Sequence, residues 1–185
     1  MDSAHIEFLA EKLPISIVPN FTHEKLYLIA GDVGPFTAGI PVEVPLWLAI
    51  DLCHRRKCRL IMPDWMDHEK LAEIKEEETQ ATGFTKMPCE HYMAVAQLLL
   101  SAEPEGIPDS QRVKTLLKDI WDLRMSKLQS SVANFIVSGG SYAKLDQLTL
   151  MEINSIRPLL PHSLDQLHRL ARSSNTSELS QTQDL

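Results

Sequence analysis

The stretch DSQRVKTLLKDIWDLRMSKLQSSVANFIVS, Asp109 to Ser138, contains neither glycine nor proline and lies between Pro108 and the pair Gly139-Gly140. Asp109 or Ser110 can cap its first turn, and the glycine pair can end it. A helix of about 28 residues is roughly 42 Å long at ~1.5 Å per residue, more than the width of a small domain. Val113, Leu116, Leu117, Ile120, Leu123, Leu128, Val132, Phe135 and Ile136 recur at the spacing of one helical stripe. Trp121 widens that stripe, and Met125 sits off its edge. Arg124 falls where an aliphatic residue belongs. A guanidinium held there needs a carboxylate or several carbonyls. Either its stem packs while its head reaches water, or it forms a paired charge at a subunit contact. No chemistry is visible on this helix, which reads as a beam for other helices.

Outward from the beam, the segments to either side are helical. Asp64 can cap a helix over Trp65 to Glu78, and Pro88 opens another over Cys89 to Ser101. Beyond the glycine pair, Thr149 and Glu152 have the spacing of a capping box for Met151 to Ile156. Pro158 and Pro161 kink or restart the chain, and Ser163 to Arg172 completes the helical part. The last stretch, SSNTSELSQTQDL, is polar and aperiodic, as a disordered tail would be.

The first 62 residues follow a different period. A short helix carries Ile6, Leu9, Ala10 and Leu13 and stops at Pro14. Strand-like runs follow at Ile15–Val18, Lys25–Ile29, Ile40–Val44 and Cys58–Met62, with turn residues at Gly31-Asp32 and Gly34-Pro35. Between the last two runs, Pro45 starts a helix from Leu46 to about His54, with Leu46, Trp47, Ile50 and Cys53 inward. The expected class is therefore α+β, mostly α: a small β-rich module over 1–62, a helical bundle domain over 63–172 with one long central helix, and a tail over 173–185. A module of that size is near the lower limit for an independent core, so it should lean on another surface.

Composition narrows the function. The net charge of −7 over 185 residues does not suit a protein that holds nucleic acid by its overall charge. Three cysteines, Cys53, Cys58 and Cys89, have no disulfide-framework pattern and suit a reducing compartment. The acidic, amphipathic N-terminus is unlike a signal peptide, and no apolar run reaches the length of a membrane span. A soluble intracellular protein is expected.

Candidate chemistry is sparse. In Cys53-His54-Arg55-Arg56-Lys57-Cys58, two thiols and a histidine lack the second cluster that zinc would need. Arg55, Arg56, Lys57 and Arg59 form a basic cluster that either complements the end of a helix or meets an acidic partner or nucleic acid. No aromatic residue interleaves with them, so single-strand stacking is not suggested. Asp64, Asp67, His68 and Glu69 fit the first turn of a helix, and Glu76-Glu77-Glu78 reads as a solvated face. Gly139-Gly140-Ser141 has neither the lysine nor the spacing of a phosphate loop, and no serine sits in a nucleophile elbow. We expect no catalytic centre and no cofactor. Ser180-Gln181 and Thr182-Gln183 are tandem Ser/Thr-Gln pairs, which makes Ser180 and Thr182 candidate phosphorylation sites.

The order of a β-rich module and a helical domain, with VPLWLAIDLCHRRKCRLIMPDW (Val44 to Trp65) and LTLMEINSIRPLL (Leu148 to Leu160), resembles the Psf-two-type subunits of the GINS complex. Asp122, Leu123, Arg124 and Lys127 resemble the end of that family's long helix. The resemblance implies a non-catalytic scaffold subunit in an obligate assembly with three sister subunits. It implies that the assembly joins the Mcm ring and the cell-division-cycle forty-five protein in the replicative helicase and connects to the leading-strand polymerase. It implies a nuclear, chromatin-associated protein that touches DNA indirectly or weakly. On the apolar stripe, Val113, Leu117, Ile120, Trp121, Arg124 and Leu128 are expected in or beside the packing with sister chains. The competing reading is a stand-alone DNA-binding accessory protein that uses Arg55, Arg56, Lys57 and Arg59.

Overall fold

A computed structural model describes residues 3–29, 31–102, 106–138 and 146–158, with positions 162, 165, 166 and 169. The chain opens with helix α1 (Ser3–Ala10), whose Ile6 and Ala10 are buried. Strand β1 (Pro14–Pro19) follows and alternates strictly, with Ile15, Ile17 and Pro19 buried. Alternation of this kind is what a sheet with one covered face imposes. It is the centre of a three-stranded antiparallel sheet, flanked by β4 (Val42–Pro45) and β5 (Cys58–Leu60), in the order β4-β1-β5. Ile15 pairs with Val44 and Ile17 with Leu60, so one buried row crosses all three strands.

A separate hairpin joins β2 (Leu26–Leu28) to β3 (Gly31–Val33). Gly31-Asp32 was expected to be a turn and is instead the start of β3, because the pairing of Leu26 with Val33 carries the hairpin through the glycine. Helix α2 (Leu46–His54) starts after Pro45 as expected. Trp47, expected inward, is 41% exposed; Leu46, Leu48 and Ala49 take the buried arc. The reason is that α2 is covered from two sides, by the sheet and by α4 (Tyr92–Ala102), which moves the inward arc off Trp47.

In the helical part, the helix expected from Trp65 is broken in two. A 3-10 turn, Asp64–Met66, buries Met66, and α3 (His68–Gln80) begins only after Asp67 turns extended. Helix α4 begins three residues later than the sequence suggested. The long helix is α5 (Ser110–Ser138), 29 residues, preceded by Asp109 at φ 51. Helix α6 (Leu150–Ile156) starts from Thr149, with Glu152 folded back on the Thr149 backbone N–H at 2.8 Å. The expected helix end at Gly139-Gly140 and the tail after 172 lie outside the described residues.

One continuous core runs from Ala10, Ile17 and Val44 through Leu46 and Leu60 to Tyr92, Leu99, Val113 and Ile120. The small module does lean on another surface: α1 and α2 both pack on α4.

Candidate functional site: a buried charge cluster and the groove beside it

Two charged residues interrupt otherwise apolar helix faces. On α5, Val113, Leu117, Ile120 and Leu128 are buried, and Arg124 stands among them with 0% exposure. On α3, Leu71 is buried and Ile74 half-buried, and Glu78 lies one further turn along the same face, also 0% exposed. These two helices run in the same direction, with Lys75 meeting Asp119 at 2.8 Å near the middle and Glu78 meeting Arg124 further on. Interior charges of opposite sign are thus brought together by ordinary helix packing.

Arg124 has five N–H groups, and the fold supplies five acceptors. Its Nε donates to Glu152 Oε1 at 2.6 Å and Nη2 to Glu152 Oε2 at 3.0 Å. Nη1 donates to Glu78 Oε2 at 2.8 Å and to the Thr85 carbonyl at 3.0 Å. The remaining Nη2 proton goes to the Gln147 carbonyl at 2.8 Å. Phe84 lies under the guanidinium, 5.3 Å from ring centre to Cζ. Such complete satisfaction is what allows a guanidinium to sit away from water.

Lys127, one turn along α5, supplies the second positive charge. Its three Nζ N–H groups are shared among four acceptors: Glu78 Oε1 and the Ala81 carbonyl, both at 2.8 Å, the Gly83 carbonyl at 3.1 Å, and the Glu78 carbonyl. Glu78 also accepts from the Thr85 N–H at 3.1 Å and from its hydroxyl. Tyr92 donates its hydroxyl to Glu152 Oε1 at 3.5 Å. Two carboxylates face two cations, so the cluster is balanced.

The electrostatics follow from these contacts. Burial alone would raise the Glu78 carboxyl, but hydrogen bonds from Lys127 and Thr85 and the Arg124 charge outweigh it and hold it below its ordinary value. Burial would discharge Arg124, yet the hydrogen bonds and charge of Glu152 raise its affinity for the proton above that of a free guanidinium. Tyr92 is pushed well above the usual phenol range by burial and by the neighbouring Glu152 charge. With Arg124, Glu78 and Glu152 all at 0% exposure, no substrate reaches these groups. The arrangement fastens α3, α5, α6 and the 81–85 loop to one another, which is structural work.

Neither sequence reading of Arg124 holds: its head does not reach water, and its partners belong to its own chain. Glu78, read as part of a solvated acidic face, is buried, while Glu76 and Glu77 are exposed. Its signal was its position four residues after Ile74 and seven after Leu71, on the apolar face. Glu152 was legible only as a capping residue.

Of the six residues expected in or beside sister-chain packing, Val113, Leu117, Ile120, Arg124 and Leu128 are buried by this chain's own elements. Trp121 remains half-buried. It lines a groove of about 470 Å³ between α4 and α5, together with Met93, Gln97, Leu100, Lys114, Lys118 and Met151 of α6. A neighbouring recess of about 220 Å³, lined by Ile6, Leu98 and Met151, extends the groove toward α1. From Gln129 to Phe135, α5 has no fully buried side chain.

Arg55, Arg56, Lys57 and Arg59 are all exposed, the first three in the turn between α2 and β5 and Arg59 within β5, paired with Val18. Cys53 and Cys58 flank that turn with their thiols near the carbonyls of Ala102 (3.9 Å) and Ala49 (3.7 Å). Among the described residues no cluster of three metal-ligating side chains occurs, and no helix is long and apolar enough to cross a membrane. Ser180 and Thr182 lie outside the described residues.

Comparison with known proteins places these features in a family. Residues 2–61 match the family described as the PSF2 N-terminal domain, and residues 65–171 match the GINS complex protein helical bundle domain. A probable DNA replication complex GINS protein PSF2 of Drosophila melanogaster is 54% identical, covering 96% of this chain and 88% of that protein. The DNA replication complex GINS protein PSF2 of Homo sapiens is 47% identical over the full length of both chains. The corresponding protein of Schizosaccharomyces pombe is 31% identical, over 91% of this chain and 90% of its own length.

Proposed function

Since the chain belongs to the PSF2 family of GINS proteins, we propose that it serves as a non-catalytic scaffold subunit of a four-chain GINS complex in DNA replication. The observation that carries the reading is the groove beside Trp121. A tryptophan left half-covered on a helix whose Val113, Leu117, Ile120 and Leu128 are buried, and lining an open groove, is an anchor for a neighbouring chain, since aromatic side chains dominate the energy of protein interfaces. Interfaces of obligate assemblies resemble a divided core, and the apolar floor of this groove has that character.

In this reading the three partners are the sister GINS subunits. The assembly in turn works with the Mcm ring, the cell-division-cycle forty-five protein and the leading-strand polymerase, in the nucleus and on replicating chromatin. The buried cluster supports a scaffold role, because it spends every polar group on holding helices together. The experiment is co-expression of the full chain with its three sisters. Trp121→Ala should lower recovery of the four-chain complex about tenfold or more, as loss of an interface anchor does, while the variant chain keeps its helical circular dichroism. Recovery of the complex at wild-type yield would remove Trp121 from the interface. Failure of the wild-type chain to co-purify with any sister would overturn the subunit reading itself.

A further inference from the structure

The turn joining α2 to β5, together with the first two residues of β5, carries four exposed cations in five residues, in a chain whose net charge is −7. Its backbone is fixed. The Arg56 N–H donates to the Cys53 carbonyl at 2.8 Å and the Lys57 N–H to the Leu52 carbonyl at 2.9 Å, the paired bonds of a Schellman helix end. The residue at the left-handed position of that motif is ordinarily glycine, and here it is Arg56, at φ 57. Asn20, just past β1, clamps the turn from the other side. Its N–H donates to the Lys57 carbonyl at 2.9 Å, and its Nδ2 donates to the Arg56 carbonyl at 2.8 Å.

Stabilisation of the helix end does not account for this charge. Arg55 already serves the last turn of α2 and is paired with Asp51 at 3.0 Å. The macrodipole fades within the last turn, so Lys57 and Arg59 lie beyond its reach. Among the described residues no carboxylate is within ion-pairing distance of Arg56, Lys57 or Arg59. A strained backbone position occupied by a charged side chain, and held there by a side-chain clamp, is a feature found at recognition sites.

We propose that Arg56, Lys57 and Arg59 form a preset docking point for an aspartate- and glutamate-rich segment of a partner protein. An acidic peptide fits better than nucleic acid. Three cations neutralise few phosphates, the rest of the chain repels a polyanion as long as DNA, and no phenylalanine, tyrosine or tryptophan interleaves with the cations to stack on bases. The rigid backbone presents the three charges without further loss of loop freedom on binding.

The test uses the full-length chain and a fluorescein-labelled polyglutamate peptide, with a DNA duplex as competitor. The wild-type chain should bind the peptide with an affinity that falls as salt rises. The variant R56Q/K57Q/R59Q should bind about tenfold more weakly, a loss of about 1.4 kcal/mol. Lys70→Gln with Lys86→Gln, which removes two exposed cations away from both this turn and the Trp121 groove, should leave binding unchanged. Arg56→Gly keeps the fold, because glycine takes the left-handed position without strain, and should raise the melting temperature while weakening peptide binding. No peptide binding by the wild-type chain, equal binding by Arg56→Gly, or equal loss in the Lys70/Lys86 variant would overturn the proposal. So would displacement of the peptide by DNA at lower concentration than by unlabelled polyglutamate, which would make the turn a nucleic-acid site.

Discussion

Arg124 shows how one off-pattern residue can be read and misread. Its place in the α5 stripe was plain in the sequence, and so was its need for carboxylates or carbonyls. Its partners were hidden, because Glu78 sits in a run of three glutamates and Glu152 fills the third position of a capping box. A local motif accounts for each of those acids without any distant contact, so nothing in the sequence demanded one. Removing the guanidinium strands two interior carboxylates. Arg124→Ala should therefore cost about 3–5 kcal/mol in denaturant unfolding, the range for breaking a buried pair, and should act on the isolated chain before any partner is involved. Lys75→Ala, which breaks a pair whose side chains are each 40% exposed, should cost under about 1 kcal/mol.

Glu78 adds a pH dependence of definite sign. Its pKa is lowered from 4.5 in the folded chain, so its contribution is complete above that value and is lost as pH falls through the folded pKa. The melting temperature of the wild type should exceed that of Glu78→Gln at pH 7, and the gap should begin to narrow below about pH 4.5 and close as pH falls through the lower folded pKa. A gap independent of pH would mean that packing, and not charge, holds Glu78 in place.

At the scale of elements, the sequence carried most of what regular periodicity can carry. Helix α5, the α2 start at Pro45, β1 and the α6 cap were all legible, because each is set by residues close in the chain. The failures are places where distant packing decides. Strand β3 exists through its pairing with β2. Trp47 faces outward because α4 and the sheet both claim α2. The break at Asp67 lets Met66 reach the core and leaves α3 free to bring Glu78 to α5. The same uneven cover applies along α5 itself. Leu128→Ala, in the buried part, should cost about 2–5 kcal/mol. Val132→Ala, one turn on and only half-buried, should cost well under half as much in parallel denaturant titrations.

For the whole molecule, the continuous core makes the division into a small module and a helical domain a matter of architecture more than of stability. Ile6 and Ala10 of the first helix and Leu46 and Ala49 of the second complete a surface that belongs equally to α4. A fragment ending at residue 62 should accordingly show no cooperative thermal transition, while the intact chain melts in one step by both far-ultraviolet and near-ultraviolet circular dichroism. Two separated transitions in the intact chain would contradict a shared core.

The loop from Ala81 to Thr85 has a consequence for anyone redesigning this interior. Its carbonyls at Ala81, Gly83 and Thr85 hang from the ammonium of Lys127 and the guanidinium of Arg124. Elsewhere an interior salt bridge can be swapped for hydrocarbon with a gain in robustness. Here the swap would silence the carboxylates yet orphan a row of backbone oxygens, so an all-aliphatic remake would have to re-route the loop as well.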